Sequence, residues 1–571
     1  MTRSVFCAVL AVGVAFAGAS SARAQTEPAR PEAYAVTNAR IVVSPGRVIE
    51  RGTVVIRQGR IEAVGPAVAV PPDAYTLDAS GLTVYPGLID AATGVGMPRP
   101  QAPSGPGGAA AFLAAQASPS DEPPEEFRAW REAADFFKPG ESDLEVVRAN
   151  GVTTIGLTFT GGILPGKVSV ASVGAGPKYE LILRTPAAQQ VAFNTRRGGY
   201  PTTLMGSIAY VRQAFYDADH LRRLEEAFRR DPGSVERPVG TEQTRALVPA
   251  ASRQLPVWFA VSRENDLKRA LDVGQELNLD FALLGAQEGY RIADRIARAG
   301  RPVLVSLAFP SPRTVTGRSF ELHVAPAEGR DTARASADSA VARALRGNAA
   351  ALAKAGVPIA LTSFGMDRPA DFREHVIQAV EAGLSADDAL RALTVTPARL
   401  LGLERALGTV EAGKLANLVL VEGDLFSRDG KIRHVFVEGR RFDVREAPRR
   451  EGGPGRAVGG RGGAEPAVVL AGAWRGTVTM DDGSPIPFTL RIEQQGSQLR
   501  GRLEAGVGTA TFRGSANGPS FTLEGDLLMG GQVMPLTVTG RVEGDSMRGT
   551  VSSGEMPPFD FTATRVPGGN P

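Results

Sequence analysis

Residues 85–96 read YPGLIDAATGVG and end an apolar run, LTVYPGLID, that begins at Leu82. An unbroken run of apolar and β-branched residues is typical of a strand buried on both faces of a parallel sheet. The small residues that follow Asp90 predict that this strand opens into a loop. The carboxyl ends of such strands carry the functional groups in barrel proteins, so the residues after Asp90 are candidate site positions.

Outward from this strand, the middle of the chain alternates strand and helix patterns. Apolar runs such as PVWFAV, DFALLGA, PVLVSLAF and PIALTS are separated by helical patterns such as ENDLKRALDVGQEL and GYRIADRIARAG. This alternation indicates an α/β fold in which helices cover a parallel sheet. Over residues 86–403 we predict a (β/α)8 TIM-like barrel.

Two short β-like regions flank the predicted barrel. Residues 33–85 contain AVTNARIVV and GTVVIRQGRIEAVG, and residues 404–445 contain LANLVLVEG and IRHVFVEGRRF. Gly and Pro separate these runs, as expected for short strands joined by turns. We predict that the two regions pair into one small composite β-sandwich domain.

The end of the chain has a different composition. Residues 446–466, EAPRREGGPGRAVGGRGGAEP, have no apolar periodicity and read as a linker rich in Gly, Pro and Arg. Residues 467–571 then alternate with period two, as in FTLRIEQQ and TATFRGSA, and Gly interrupts them about every eight to twelve residues. This pattern predicts a C-terminal antiparallel β-barrel-like domain.

The N-terminal residues 1–24 read as a secretory signal peptide. Arg3 precedes a short apolar run, and Ala22 and Ala24 form a small-residue cleavage site before Gln25. We therefore expect an exported protein, periplasmic or extracellular, with no transmembrane segment in the mature chain. The single cysteine, Cys7, would be removed, which excludes disulfides and thiolate sites.

Length and charge limit the number of domains and the kinds of binding partner that we expect. A chain of 571 residues is too long for one hydrophobic core, which agrees with several domains. The formal net charge is only +3, and no Lys/Arg cluster is interleaved with aromatic residues. We therefore expect no nucleic-acid partner.

The stretches NARIVV, GRIEAVG, LTVYPGLIDA, GVTTIG, EGYRIAD and EAGLSADDALRALTVTPARLLGLERALGTVEAGKLANLVLVEGDLF resemble the metal-dependent amidohydrolase superfamily. The resemblance is closest to its imidazolonepropionase-like and prolidase-like secreted members, and it spans about residues 34–443. It implies a barrel enzyme that binds one or two divalent metals, usually zinc. In such a site the metal activates water, and an Asp at the last strand moves its proton.

The resemblance also implies where the metal ligands should lie. They are a His-x-His pair after the first barrel strand, two later His, a carboxylate or carbamylated Lys, and an Asp at the last strand. Residues without donor side chains occupy the positions that we can match, namely Ala92, Gly94, Ala260, Gly285 and Phe364. The region 191–215, where the family supplies Glu or Lys, contains neither. We therefore expect no metal cofactor.

Three carboxylates near the expected barrel mouth are candidate catalytic residues. Asp90 ends the first strand, and we expect it to fix a loop by hydrogen bonds. Asp367, three residues past Phe364, is a candidate displaced acid. Glu288 precedes a predicted helix, where a carboxylate favours the positive end of the dipole, and this structural role outweighs catalysis. The four histidines, interpreted as solvated or core residues, are His220, His323, His375 and His434.

Three function hypotheses follow. The first is a catalytically degenerate, metal-free amidohydrolase-fold protein that binds a small-molecule ligand or forms a homo- or hetero-oligomer with an amidohydrolase relative. The second is an active hydrolase of carbon–nitrogen bonds, either non-peptide amides or dipeptides. The third is a structural adhesion module that uses the C-terminal β domain.

Overall fold

The computed structural model describes residues 31–98, 127–195, 200–309, 330–444, 470–479, 485–495, 498–506, 508–517, 520–529, 532–553 and 556–566. The predicted signal peptide (1–24), the predicted linker (446–466) and His323 lie outside these residues. The chain divides into two compact units. The first holds most of residues 31–444, and the second contains the C-terminal strands.

The described part of the first unit contains sixteen strands and eleven α-helices. The strands are β1 (Ala33–Ser44), β2 (Arg47–Arg57), β3 (Arg60–Gly65), β4 (Tyr75–Asp78), β5 (Leu82–Pro86), β6 (Leu88–Thr93), β7 (Val152–Leu157), β8 (Gly166–Ser172), β9 (Ile182–Ala192), β10 (Val257–Val261), β11 (Phe281–Gly285), β12 (Val303–Ser306), β13 (Ile359–Thr362), β14 (Leu418–Glu422), β15 (Lys431–Val437) and β16 (Arg440–Asp443). The helices are α1 (Ala133–Phe136), α2 (Glu141–Ala149), α3 (Lys178–Leu181), α4 (Leu204–Arg230), α5 (Glu242–Ala251), α6 (Glu264–Glu276), α7 (Ala293–Ala299), α8 (Arg330–Lys354), α9 (Phe372–Glu381), α10 (Ala386–Leu393) and α11 (Val395–Leu400). No helix among the described residues is both long and apolar enough to cross a bilayer.

The two flanking β regions form one eight-stranded sheet. Its order is β16-β15-β14-β5-β1-β2-β3, and β4 pairs with β1. The two regions meet where β5 runs antiparallel to β14, with Leu82 opposite Glu422 and Pro86 opposite Leu418. Apolar side chains from both regions, including Val84 and Phe436, share one buried core. The two flanking regions therefore contribute strands to one eight-stranded sheet, where the sequence predicted a composite β-sandwich.

The strands β6 to β13 form a second, barrel-like sheet in chain order. Every residue of β6, β7, β11, β12 and β13 is buried, as expected for strands covered on both faces. Strands β9 to β13 run parallel to one another. The α/β barrel class predicted from the sequence is therefore confirmed.

One pair of strands departs from regular strand–helix alternation. Strand β7 runs antiparallel to β8, with Thr154 opposite Ser172 and Leu157 opposite Ser169. Residues 158–165 alone connect these strands. A parallel connection needs a crossover of roughly a dozen residues or more, so a segment this short returns the chain as a hairpin.

The second unit contains a closed antiparallel barrel. Its strands are β17 (Gly472–Thr479), β18 (Pro485–Gln495), β19 (Gln498–Ala505), β20 (Gly508–Asn517), β21 (Ser520–Met529), β22 (Gln532–Glu543), β23 (Ser546–Ser553) and β24 (Met556–Arg565). Each strand pairs with the next, and β24 pairs with β17 to close the barrel. The interior is an apolar core built around Trp474 and Phe512. The indole N–H of Trp474 donates to the carbonyl oxygen of Leu470 at 2.9 Å. The predicted C-terminal barrel is confirmed.

We predict that residues 467–571 fold when they are expressed alone. The barrel is closed and has its own core, so no unpaired strand edge needs covering. Trp474 is the only tryptophan in this fragment, and it is fully buried. Its fluorescence should therefore shift to longer wavelength in one cooperative step as denaturant is added.

The matched variants are Trp474→Ala and Arg500→Gln, followed by circular dichroism. Loss of the buried indole should cost about 3–5 kcal/mol, whereas the exposed Arg500 should contribute little. A fragment with the fluorescence and circular dichroism of a disordered chain would show that the C-terminal strands need the rest of the protein.

Candidate functional site

A buried polar cluster joins β6 to the carboxyl end of β13, and it consists of Asp90 in the middle of β6, Thr93 at its end and Ser363 directly after β13. The backbone N–H of Ser363 donates to Oδ1 of Asp90 at 3.0 Å, and the Ser363 hydroxyl contacts Oδ2 of the same carboxyl group. The Ser363 hydroxyl also lies 2.7 Å from the hydroxyl oxygen of Thr93. All three side chains are buried. The first and last strands of the barrel-like sheet are therefore tied together by side chains.

The contacts of this cluster are compatible with two proton arrangements. Ser363 has one hydroxyl proton but two oxygen neighbours, Asp90 and Thr93. A neutral Asp90 can donate to Ser363 while Ser363 donates to Thr93, and an ionised Asp90 can accept from Ser363 while the Thr93 hydroxyl donates to Ser363. The burial of Asp90, rather than these contacts, sets which form is favoured.

Burial favours the neutral form of Asp90. Removal from water raises the pKa of Asp90 to about 7, although hydrogen bonds from Ser363, Ala92 and Thr93 oppose the shift. The backbone N–H of Ala92 donates to Oδ1 at 3.4 Å. Asp90 was expected to fix a loop, and the structure places its hydrogen bonds both within β6 and across to the residue after β13.

The residues at the expected metal-ligand positions line an apolar region. Ala92 is fully buried in a cluster that includes Trp258, and Ala260 and Phe364 are partly buried against that cluster. A side chain of Ala or Phe has no lone pair to offer a metal. These three positions therefore hold packing residues.

The two glycines among these positions differ from each other. A Cβ built at Gly94 meets no heavy atom within 4 Å. Gly285 has φ of +98°, and a Cβ there would lie 3.1 Å from the carbonyl oxygen of Val261. An L side chain is strained in that conformation. The backbone at residue 285 is therefore suited to glycine and unsuited to histidine.

Glu288 accepts a hydrogen bond from the start of a helix, as the sequence predicts, but from a different helix. Its Oε2 accepts from the backbone N–H of Glu264 at 2.8 Å. Glu264 is the first residue of α6, so Glu288 satisfies a free N–H at the start of that helix. The sequence predicts capping of the helix that follows Glu288, and the structure places the contact on a neighbouring helix because β10 and β11 are adjacent.

Asp367 stands apart from the other two acids. It is exposed in the loop after β13. Within the described ranges, no hydrogen bond or ion pair links it to Asp90 or Glu288. The three carboxylates predicted as site candidates are therefore not joined into one cluster by direct contacts.

The described histidines have separate surroundings. His375 donates from Nδ1 to the carbonyl oxygen of Leu307 at 2.6 Å, and its ring lies 5.1 Å from that of Phe309. His434 contacts Asp443 in the composite sheet at 2.7 Å. His220 lies exposed on α4. Their sequence-based interpretation as core or solvated residues agrees with these positions.

The described residues can be compared with the needs of a divalent-metal site. Such sites need three or more nitrogen, oxygen or sulfur donors that converge on one point. No group of three His, Cys, Asp or Glu side chains suited to a metal occurs in the part of the chain that the structure describes.

Ser363 and Thr93 were missed as site residues by the sequence reasoning. The available signal was a Ser directly after the buried strand PIALT, at the end of the sheet where sites occur.

Comparison with known proteins bears on the fold. Residues 312–442 match the sequence model of the amidohydrolase family. The structure is similar to that of an amidohydrolase from Thermotoga maritima MSB8, with a TM-score of 0.58 and 23% identity over 72% of this chain and 100% of that chain. The protein has an amidohydrolase-family fold.

Two further solved structures are similar at lower scores. A prolidase complexed with N-methylphosphonate-L-proline matches with 16% identity and a TM-score of 0.44, over 72% of this chain and 100% of that chain. An adenosine deaminase from Xanthomonas campestris with bound zinc matches with 16% identity and a TM-score of 0.40, over 72% of this chain and 93% of that chain. Within the amidohydrolase fold, the cluster of Asp90, Thr93 and Ser363 is the candidate functional site of this protein.

We predict that Asp90 makes the protein less stable as the pH rises. An unfolded Asp has a pKa of about 3.9, and the folded group has a pKa of about 7. Between these values the folded state binds the extra proton, so the free energy of unfolding falls as pH increases. The full effect of this shift is ~4 kcal/mol, reached above the folded pKa.

The matched variants are Asp90→Asn and Ser363→Ala. Asn cannot ionise, and it can donate to Ser363 as a neutral Asp would, so this variant should have a shallower fall in stability between about pH 5 and pH 8. Ser363→Ala should cost about 1–3 kcal/mol because it leaves part of a buried carboxyl group without a partner. Denaturant titrations at several pH values measure both effects. Equal pH slopes for the wild type and Asp90→Asn would contradict the assignment.

Proposed function

We propose that this protein is an exported, metal-free member of the amidohydrolase fold that no longer catalyses metal-dependent hydrolysis. In this proposal it acts by binding a small-molecule ligand or as a subunit beside an amidohydrolase relative. The observation that supports the proposal most directly is the identity of the residues at and near the ends of the barrel strands. Ala92 and Phe364 stand where the resemblance implies ligands, and the Asp90 carboxyl group is hydrogen-bonded to Ser363.

Three properties of the site support the loss of metal chemistry. Ala92 packs in an apolar cluster, and Gly285 adopts a backbone conformation that strains any L side chain. The neutral form of Asp90 is favoured up to about pH 7, and a protonated carboxyl group is a poor ligand for a cation. We therefore expect that placing a histidine at one of these positions would not create the metal site that the resemblance implies. Export rests on the sequence of residues 1–24.

The alternative is an active hydrolase of carbon–nitrogen bonds that works without the family metal site. One observation favours it, because a carboxyl group with a pKa of about 7 is suited to general acid–base catalysis near neutral pH. Asp90 was expected to end the first barrel strand, but β6 continues to Thr93, so Asp90 lies three residues before the carboxyl end where barrel proteins hold their sites. Under this alternative, amide or dipeptide hydrolysis would be lost in Asp90→Asn.

We predict that the purified protein holds less than one divalent metal per chain and is insensitive to chelators. A bound metal stabilises a fold by about 4 kcal/mol when its free concentration is a thousand times its dissociation constant. A chain without such a site loses nothing when the metal is removed. Elemental analysis and melting curves with and without a chelator measure this, and a zinc amidohydrolase serves as the positive control.

Stoichiometric metal together with a melting drop of several degrees would contradict the metal-free proposal. A screen of amides and dipeptides should accompany the assay. Hydrolysis that is lost in Asp90→Asn would favour the alternative, and hydrolysis that is lost on chelation would favour a metal site. Absence of turnover with all substrates agrees with the binding role.

We predict that the protein associates with itself or with an amidohydrolase relative from the same compartment. If it acts as a subunit, a stable interface should bury at least about 1,000 Å² in total. Size-exclusion chromatography with light scattering, alone and after co-expression with that relative, measures the mass of the complex. A monomer under both conditions would contradict the subunit role and leave ligand binding.

A further inference from the structure

A cavity lined by arginines lies between helices α4 and α5, where it is formed by residues that the candidate site does not use. Its volume is about 770 Å³, within the range of small-molecule sites. The charged residues that line it are Arg222, Arg229, Arg237, Arg245, Glu225 and Glu226. The cavity therefore has an excess of positive charge.

The ion pairs in this region leave that excess on the other three arginines. Arg222 donates to Asp219 at 2.6 Å and to Glu226 at 2.8 Å, so Glu226 is already occupied by Arg222. Arg229 donates from Nε to the backbone carbonyl oxygen of Glu225 at 3.3 Å, which leaves its charge unpaired. Like charges held close together without counter-ions destabilise a surface, and an anion relieves this.

The other two arginines have no protein partner. Across the described ranges, the side chains of Arg237 and Arg245 make no ion pair and no hydrogen bond. Both are exposed to solvent. Three guanidinium groups, those of Arg229, Arg237 and Arg245, thus face the cavity region against one unpaired carboxylate, that of Glu225.

The segment that carries Arg237 is held in place against α4. A Cβ at Gly240 would lie only 2.4 Å from Cδ2 of Leu221, so the backbone of this segment packs directly on the helix. Pro238, next to Arg237, lines the cavity and has a fixed φ. Thr241 then caps α5 by accepting from the backbone N–H of Thr244 at 3.1 Å. Arg237 and Arg245 are therefore on either side of an anchored turn.

We propose that this cavity binds a small polyanion that carries two or more carboxylate or phosphate groups. Guanidinium groups bind such oxygens through paired, charge-assisted hydrogen bonds. Several guanidinium groups around one cavity favour a ligand with several anionic groups over one with a single charge. The proposal is independent of the function proposed for the barrel mouth, since it uses none of the same residues.

The test is calorimetric titration of the purified protein with inorganic pyrophosphate and with citrate, at matched ionic strength. At least one of the two probes should bind saturably at one site per chain. A preference for pyrophosphate would indicate a phosphate ligand, and a preference for citrate would indicate a carboxylate ligand. The variant Arg237→Gln/Arg245→Gln should weaken binding at least about tenfold, because each substitution removes charge-assisted hydrogen bonds. The control Arg298→Gln/Arg405→Gln removes the same charge from exposed positions outside the cavity and should change affinity less than about twofold.

A second variant separates charge from geometry. Arg245→Lys keeps the charge and loses the planar fork, so its affinity should fall between the wild type and the double variant. Because Arg237 and Arg245 are exposed, all variants should melt as the wild type does. Absence of saturable binding of both probes, or equal weakening by the two double variants, would overturn the proposal.

Discussion

The carboxyl group of Asp90 is the constraint on which the mouth of the barrel-like sheet depends. A buried carboxyl group must find hydrogen-bond partners or become neutral, because its charged form loses the solvation of water. Asp90 does both, since it bonds to Ser363 and its pKa rises to about 7. Ser363 directly follows the last strand, so its contacts with Asp90 also hold the first strand against the last.

This constraint supports the proposal that the strand ends do not hold a metal. A divalent cation of the kind that the resemblance implies would need imidazole or carboxylate donors around Asp90. The polar neighbours of Asp90 are the neutral hydroxyl groups of Ser363 and Thr93, which already hydrogen-bond within the cluster. Two of the positions where the resemblance implies ligands point the same way. Ala92 packs against an apolar cluster, and Gly285 has a left-handed backbone that a histidine would strain. The departure from the family pattern therefore involves backbone conformation as well as side chains.

The sequence predicts the fold well because its signals are local. The run LTVYPGLID, the apolar runs of the middle region and the period-two alternation after residue 467 each specify a strand type directly. The site was harder to predict because its contacts are distant in the chain. Asp90 and Ser363 are 273 residues apart, and nothing near either one identifies the other as its partner. Glu288 was predicted to cap a helix, but which helix depends on the neighbour that the sheet places beside it. The antiparallel pair β7 and β8 could have been suspected from the short segment 158–165.

The most direct test of this account is a crystal structure of the protein grown with zinc and measured at the zinc absorption edge. The account predicts no anomalous peak at the carboxyl ends of β6 and β13, with the Ser363 N–H still donating to Asp90. An anomalous peak within about 2.0–2.2 Å of an Asp90 oxygen, with two or more further protein donors around it, would contradict the account. It would then place a metal site where the structure has hydrogen bonds between Asp90 of the first strand and Ser363 after the last strand.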